Sequence, residues 1–391
     1  MVTIAASTKL WAFTIAEQME RHGLLDELLT SYSYTKNTIA RRFIRRIDKE
    51  KIPSQKIQTN LWLAFPIGIY RKKSYLWNDL FDHWVAGKLK KSESRIFIGW
   101  SGMSLHSIRA AKKRGMITIL ERGSSHILTQ NQLLQEEYGH FDRHFSIQSS
   151  VIQREVKEYE EADYISIPSD FVKKSFLDRG FETGKLLVNP FGANQYFSPK
   201  KRETYTTEEK FRIVYLGTIS IRKGLVYLFQ ALQRISIKPD LFEVWFIGTI
   251  EKEMRGIIDD YKKDNWTFFG HVNYYELRDH LAKCDVGVQP SMEEGLSMVI
   301  PQMMYCGIPV IVTPNTGAEN LLKDTVSGFV VPVRDPEAIA EKINLLYRDR
   351  ELLKKMKANA VSAIAEGFTW DDYGDRYTEN ILSLLHTTNE G

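Results

Sequence analysis

The chain has 391 residues, 43% of them hydrophobic, which is enough for two domains with a core each. A formal net charge of +4 is too small to argue for nucleic acid as a partner. The two cysteines, Cys284 and Cys306, have no metal-ligand partners at useful spacing, so they read as buried free thiols of a reducing compartment.

At the amino end, Lys9, Glu17 and Glu20 break the apolar stretch, and no cationic flank or small-residue cleavage site is clear. The expectation is no signal peptide. No run of about 18 apolar residues occurs, so no membrane-spanning helix is expected. The expected location is cytoplasmic. Val2–Ala6 reads as a first strand, and Phe13, Ile15, Ala16 and Met19 mark a helix over 13–22 that Gly23 ends.

Residues 36–56 are the most basic segment. Lys36, Arg41, Arg42, Arg45, Arg46, Lys49, Lys51 and Lys56 oppose only Asp48 and Glu50, eight cations against two anions, or +6. Ile39, Phe43, Ile44 and Ile47 fall at helical spacing. Such a helix either lies on an anionic membrane surface or packs its apolar stripe on the domain, and both readings stay open. Arg71, Lys72 and Lys73, near Tyr70, Tyr75 and Trp77, add to the first.

Residues 94–99 and 116–120 read as buried parallel strands with a helix over 105–114 between them. The run Glu121-Arg122-Gly123-Ser124-Ser125-His126 then sits at a strand's carboxyl end, where open α/β sheets place ligands. Helices over 130–138 and 151–162 lead to a strand at 163–168, a helix capped by Ser169 or Asp170, and a strand at 185–191. Residues 200–210 form a charged linker without apolar periodicity. Phe211–Leu216 opens a second domain, ending in Gly217. Thr218 to Gly224 form a loop into a helix over 225–235. Strands follow at 243–247 and 266–269, the latter before the turn Gly270-His271-Val272, then a helix over 274–284. Val286–Gln289 is a strand, Glu293-Glu294-Gly295 a loop, 296–305 a helix that Gly307 stops, and 308–313 another strand. A strand at 328–333 and a helix over 336–347, started by Asp335 and Pro336, complete the unit. Phe368-Thr369-Trp370 opens a last helix. The expected organisation is a domain at 1–199, a linker at 200–210, a domain at 211–368 and a terminal helix at 369–391.

The stretch PSMEEGLSMVIPQMMYCGIPVIVTPNTGAENLL, residues 290–322, resembles the donor-site motif of the family 4 retaining glycosyltransferases. That pattern runs Pro-Ser, two variable residues, Glu-Gly-Phe-Gly-Leu, a second Glu eight positions after the first, then Gly-x-Pro-Val. Here the first acid is Glu294, Gln302 stands at the second, and Ser297 replaces a glycine. The order Glu-Tyr-Glu-Glu-Ala-Asp, strand, Pro-Ser, helix, Gly, strand, Asn-Pro-Phe-Gly also resembles the close of the family's first domain. The unit strand, Gly217, loop, Lys223-Gly224, helix resembles the start of its second. The likeness covers about residues 151 to 385 well and the first 120 loosely. At the amino end Ala5-Ala6-Ser7-Thr8 stand where the family has a glycine-rich loop.

The resemblance implies a GT-B fold: two Rossmann-like α/β domains facing across a cleft, with the last helix crossing back to the first domain. It implies a nucleoside-diphosphate sugar as donor on the carboxyl-terminal domain and a glycan or lipid-linked acceptor on the amino-terminal one. Retention of configuration comes from the same source. Lys223 would bind the donor diphosphate. Thr218 stands where an arginine is common, and Arg222 either replaces that cation or faces solvent. Gly217, Thr218, Gly295, Leu296, Ser297 and Met298 would line the donor, with backbone N–H groups of 294–298 aimed at it. Glu294 would accept from sugar hydroxyls and Gln302 would meet the ribose. His126 would reach the sugar near its reacting carbon or serve structure alone. Arg122 would contact an anion or the acceptor, and Ser124 would lie on the acceptor side. No Asp-x-Asp occurs, and no metal or other cofactor is expected. Two alternatives stay open: a non-catalytic sugar-nucleotide-binding protein, suggested by Gln302 and Thr218, and another enzyme of the same fold, such as a sugar-nucleotide epimerase.

Overall fold

A computed structural model of the chain describes residues 1–7, 11–31, 51–64, 74–199 and 210–387. Most of the basic segment 36–56, and Tyr70 to Lys73, lie outside the described residues, as do Thr8 and Lys9.

Two wholly parallel sheets organise the molecule. The first contains β1 (Val2–Ala6), β2 (Leu25–Thr30), β3 (Ile57–Thr59), β4 (Ile96–Trp100), β5 (Ile117–Glu121), β6 (Tyr164–Ile167) and β7 (Leu186–Val188) in the order β3-β2-β1-β4-β5-β6-β7. The second contains β8 (Phe211–Leu216), β9 (Phe242–Ile247), β10 (Trp266–Gly270), β11 (Val286–Gln289), β12 (Val310–Val312) and β13 (Gly328–Val330) in the order β10-β9-β8-β11-β12-β13. Helices cover both faces, so strands such as Ile-Phe-Ile-Gly-Trp are buried throughout and read as unbroken apolar runs. β2 escaped the sequence reading because Asp26 and Glu27 interrupt its run. Its pattern is exposed and half-buried at those positions and buried elsewhere. The helices Ser74–Leu89 and Arg350–Ala365 were likewise not anticipated.

In each sheet the strand order reverses once, between β1 and β4 and between β8 and β11. At such a point the loops leaving the two central strands diverge and open a crevice at their carboxyl ends. In the second sheet those loops are 217–224 after β8 and 290–298 after β11.

The carboxyl-terminal helix Trp370–Thr387 packs on the first domain. The Tyr377 hydroxyl donates to Glu121 Oε1 at 2.7 Å, Gln18 Nε2 donates to Asp371 Oδ1 at 3.1 Å, and Arg376 Nε donates to Asn189 Oδ1 at 3.0 Å. Where the chain passes between the domains, its two passages lie side by side. Ala193 N donates to Phe368 O at 2.8 Å and Trp370 N returns a bond to Ala193 O at 3.2 Å. One apolar cluster runs from Ile4 and Trp100 of the first sheet through Phe191, Phe197 and Tyr373 to Val214 and Met303 of the second unit.

Candidate active site

The loop after β8 and the loop after β11 touch, and one glycine lets them. Gly224 has φ +68°, and a Cβ there would lie 1.9 Å from the Pro290 carbonyl oxygen. The turn Ile221–Lys223 is therefore pressed against the opposite loop, and Met292 N donates to Arg222 O at 2.9 Å. That contact delivers Lys223 to Glu294. Lys223 Nζ and Glu294 Oε1 form an ion pair whose side chains are only 13% and 10% exposed. Ser291 Oγ donates to the same carboxylate oxygen at 3.2 Å. The loop behind is fixed by Thr313 Oγ1 donating to Ser291 O at 2.6 Å and Asn315 Nδ2 to Met292 O at 2.8 Å. Burial, and then the Arg222 guanidinium, push the Lys223 ammonium well below its ordinary range. Glu293 and the paired Glu294 oppose them and favour the charged form.

The helix expected from 296 begins at Val299, so the preceding residues are loop. Two of the N–H groups expected to face a ligand are spent inside the protein: Glu294 N donates to Asn315 O at 2.9 Å and Ser297 N to Thr316 O at 3.0 Å. The N–H groups of Gly295, Leu296 and Met298 find no acceptor among the described residues. Gln302 is half-buried on the helix Val299–Tyr305, and its amide has no partner among the described residues. Gly217 and Thr218 close β8, where the Tyr215 hydroxyl donates to Thr218 O at 2.7 Å.

The amino-terminal domain reaches this loop through a residue the sequence reading passed over as a variable position. Glu293 has 0% exposure. Its Oε1 accepts from Ser125 N at 3.2 Å and Ser125 Oγ at 2.8 Å, and its Oε2 accepts from Gln130 Nε2 at 3.0 Å. Arg222 Nη1 donates to Glu293 O at 2.8 Å and stands 3.8 Å from Oε2. Arg222 thus braces the carboxylate that joins the domains; it is not a simple solvent-facing cation. An acidic doublet before the motif glycine is the signal that could have pointed to Glu293.

Arg122 is not free to hold an anion. Its guanidinium donates to Glu155 Oε2 at 2.7 Å, to Ser125 O at 2.8 and 3.1 Å, and to Gln130 Oε1 at 2.9 Å. It sets Ser125 and Gln130 in place for Glu293. Ser124 is half-exposed beside the loop after β11: a Cβ on Gly295 would come within 2.9 Å of Ser124 N.

His126 does not join these residues. It is 2% exposed, its Nδ1 caps the helix Ile127–Gly139 by accepting from Leu128 N at 3.2 Å, and its ring packs on Tyr159, Phe176 and Phe181. Of the two readings, the structural one fits this placement. Burial, helped by Arg122, pushes its pKa from 6.5 down to about 4. The unfolded chain takes up this proton below about 6.5 and the folded chain only near 4, so folding stability is lost as pH falls through that window. The shift corresponds to about 3 kcal/mol. His126→Asn keeps a capping acceptor and removes the titration. Urea midpoints measured from pH 7 to 4 should fall less steeply in this variant, and parallel curves would refute the assignment.

Known proteins bear out this architecture. Sucrose-phosphate synthase from Thermosynechococcus elongatus superposes with a TM-score of 0.73 at 15% identity, covering 99% of each chain. HepE of Anabaena, solved in complex with UDP and glucose, gives 0.69 at 15%, covering 98% of this chain and 99% of its own. The chain has the GT-B fold. Residues 197–362 of this GT-B chain match the family described as Glycosyl transferases group 1. The capsular polysaccharide biosynthesis glycosyltransferase CapM of Staphylococcus aureus is 27% identical over 233 residues, 55% of this chain and 61% of CapM. The GT-B chain spans about half the length of the curated relatives it matches.

Proposed function

We propose that the protein is a retaining family 4 glycosyltransferase. It moves a hexosyl group from a nucleoside-diphosphate sugar to a glycan or lipid-linked acceptor, in polysaccharide or glycoconjugate synthesis. One observation carries this reading: Lys223, held against Glu294 at the point where the order of the second sheet reverses, beside the N–H groups of Gly295, Leu296 and Met298. Breaking the bond between sugar and diphosphate develops negative charge on the leaving oxygen. A fixed ammonium and preset N–H donors stabilise that charge with little reorganisation and without a call on a metal ion. Lys223 would exchange its carboxylate partner for phosphate, freeing Glu294 to accept from sugar hydroxyls. Gln302 lacks the charge of the family glutamate, but its amide can still accept from and donate to a ribose. The likeness to HepE, solved with UDP, and to CapM supports a nucleotide-sugar donor and a polysaccharide setting.

The test is a panel of nucleoside-diphosphate sugars with candidate acceptors, read as release of nucleoside diphosphate and as the anomeric configuration of the product. Binding of a nucleotide sugar with no release in the presence of any acceptor would favour a binding protein.

The proposal includes peripheral contact of residues 36–56 with an anionic membrane on the cytoplasmic side, on the strength of their +6 charge and apolar spacing. No described helix is long and apolar enough to cross a membrane. The chain should float with anionic liposomes at low salt and far less with neutral ones, and equal binding to both would remove this part.

A further inference from the structure

Three side chains of the amino-terminal domain, none of them in the loops after β8 and β11, converge as metal ligands do. The helix Ser74–Leu89 carries Asp79 and His83 one turn apart, on the same face. The helix Leu105–Lys112 brings His106 to them. His106 Nε2 lies 3.5 Å from Asp79 Oδ1, and His83 Nδ1 lies 3.5 Å from Asp79 Oδ2. The two imidazole rings are 3.9 Å apart between centroids and tilted by 37°. One ligand atom from each residue falls within 4.8 Å of the others, and among the described residues no other group of His, Cys, Asp or Glu does this.

The surroundings favour a cation. Arg154 serves three carboxylates at once: Asp79, Asp82 and Glu158. Asp82 and Glu158 have 0% side-chain exposure. Three carboxylates thus share one guanidinium. That excess of negative charge lies beside two imidazoles. The orientation of His83 also fits. Its Nδ1 is 2.9 Å from the Asp79 carbonyl oxygen, to which it can donate, a bond that fixes the ring beside Asp79. Arg154 Nη1 donates to Asp79 Oδ1, which holds the carboxylate in place beside the two rings. Asp79 and His106 also line a cavity of about 520 Å³ bounded by Ser101, Gly102, Ser150 and Arg154.

We propose that Asp79, His83 and His106 bind one divalent transition-metal ion of the zinc type. Two imidazoles and a carboxylate suit zinc, nickel or copper better than magnesium or calcium, which prefer all-oxygen sets. Three protein ligands leave a fourth position open to solvent or to a group in the cavity. The ion clips the helix Ser74–Leu89 to the helix Leu105–Lys112. It shares no residue with the donor loop, so the assignment is independent of the proposed sugar transfer.

The full chain, stripped with a chelator, is titrated with zinc chloride by calorimetry, and cobalt(II) absorption reports the coordination geometry. One-to-one binding is expected, with a Tm rise of several degrees at about a hundredfold excess over Kd. Loss of groups that merely orient a ligand costs about 10–100-fold, so His83→Ala and His106→Ala should each weaken zinc by about 100-fold or more. His83 is 57% exposed in its side chain, so His83→Ala should fold, which circular dichroism checks. His140→Ala, at an exposed histidine beside Glu136, should bind zinc like the wild type. Absence of zinc binding in the wild type would overturn the site. So would unchanged one-to-one binding in the His83→Ala/His106→Ala double variant.

Discussion

Lys223→Ala should lower sugar transfer by on the order of 10²–10³, the cost of removing one preset donor to developing negative charge, about 2.7–4 kcal/mol. The same change strands Glu294, whose side chain is 10% exposed and whose ion-pair partner is Lys223. Breaking one side of a buried pair costs about 3–5 kcal/mol in stability, so lost activity alone would be ambiguous. The double variant Lys223→Met/Glu294→Gln separates the two effects. It removes both charges and keeps an acceptor for Ser291, so stability should return. Turnover should not, because the cation assigned to the diphosphate, Lys223, is gone. Recovery of transfer together with stability, read from kcat and urea midpoints on the same samples, would make Lys223 a structural residue only. Arg222→Ala should act differently. It releases Glu293, so its effect should fall on the contact between domains more than on the leaving group.

Gly295→Ala should uncouple nucleotide binding from transfer. A Cβ at Gly295 would lie 1.8 Å from the Gly123 carbonyl oxygen, a backbone atom of the other domain. No side chain can swing aside to make room. The domains must part there, breaking the bonds from Ser125 to Glu293 and from Ser169 Oγ to Gly295 O. A displacement of about 1 Å between reacting groups can cost 10²-fold in rate, and that is the expected loss in kcat. Nucleoside-diphosphate affinity should change little, since Lys223 and the remaining loop belong to one domain. Gly123→Ala is the matched control: its Cβ meets the Trp11 ring at 2.4 Å, and a ring can shift where a backbone cannot. Calorimetry beside turnover decides the matter. Wild-type turnover in Gly295→Ala would show that this contact is absent from the working state.

The sequence revealed most where one periodicity acts alone. β8 and β11 were read to the residue because each is a short, mostly apolar run bounded by breaks, with no competing helical pattern. The start of the helix after Gly295 was placed three residues early, because Leu296 is apolar and buried yet serves a loop. Lys223 and Glu294 were legible as residues of two loops at the sheet's reversal point because the motif fixes their places there. Their pairing with each other was not, since it depends on Gly224 touching Pro290 across the sheet. His126 and Arg122 show the limit more plainly. A strand's carboxyl end predicts that residues face a cleft, but not whether their atoms are already spent. His126 is spent on a helix cap and an aromatic box, and Arg122 on Glu155, Ser125 and Gln130. Glu293 went unseen for the converse reason: its partners lie 168 and 163 residues away.

The bonds between Ala193 and the 368–370 segment bear on how the two halves can move. A single strand between two bodies is a tether and permits swing, twist and slide. Two strands laced together at one place act as the pin of a door. With Gly192 so close to Thr369 that a Cβ would lie 2.2 Å from its carbonyl oxygen, the pin has no slack along its length. Any movement of one half against the other must therefore either keep Gly192 beside Thr369 or break the two bonds between Ala193 and the 368–370 segment.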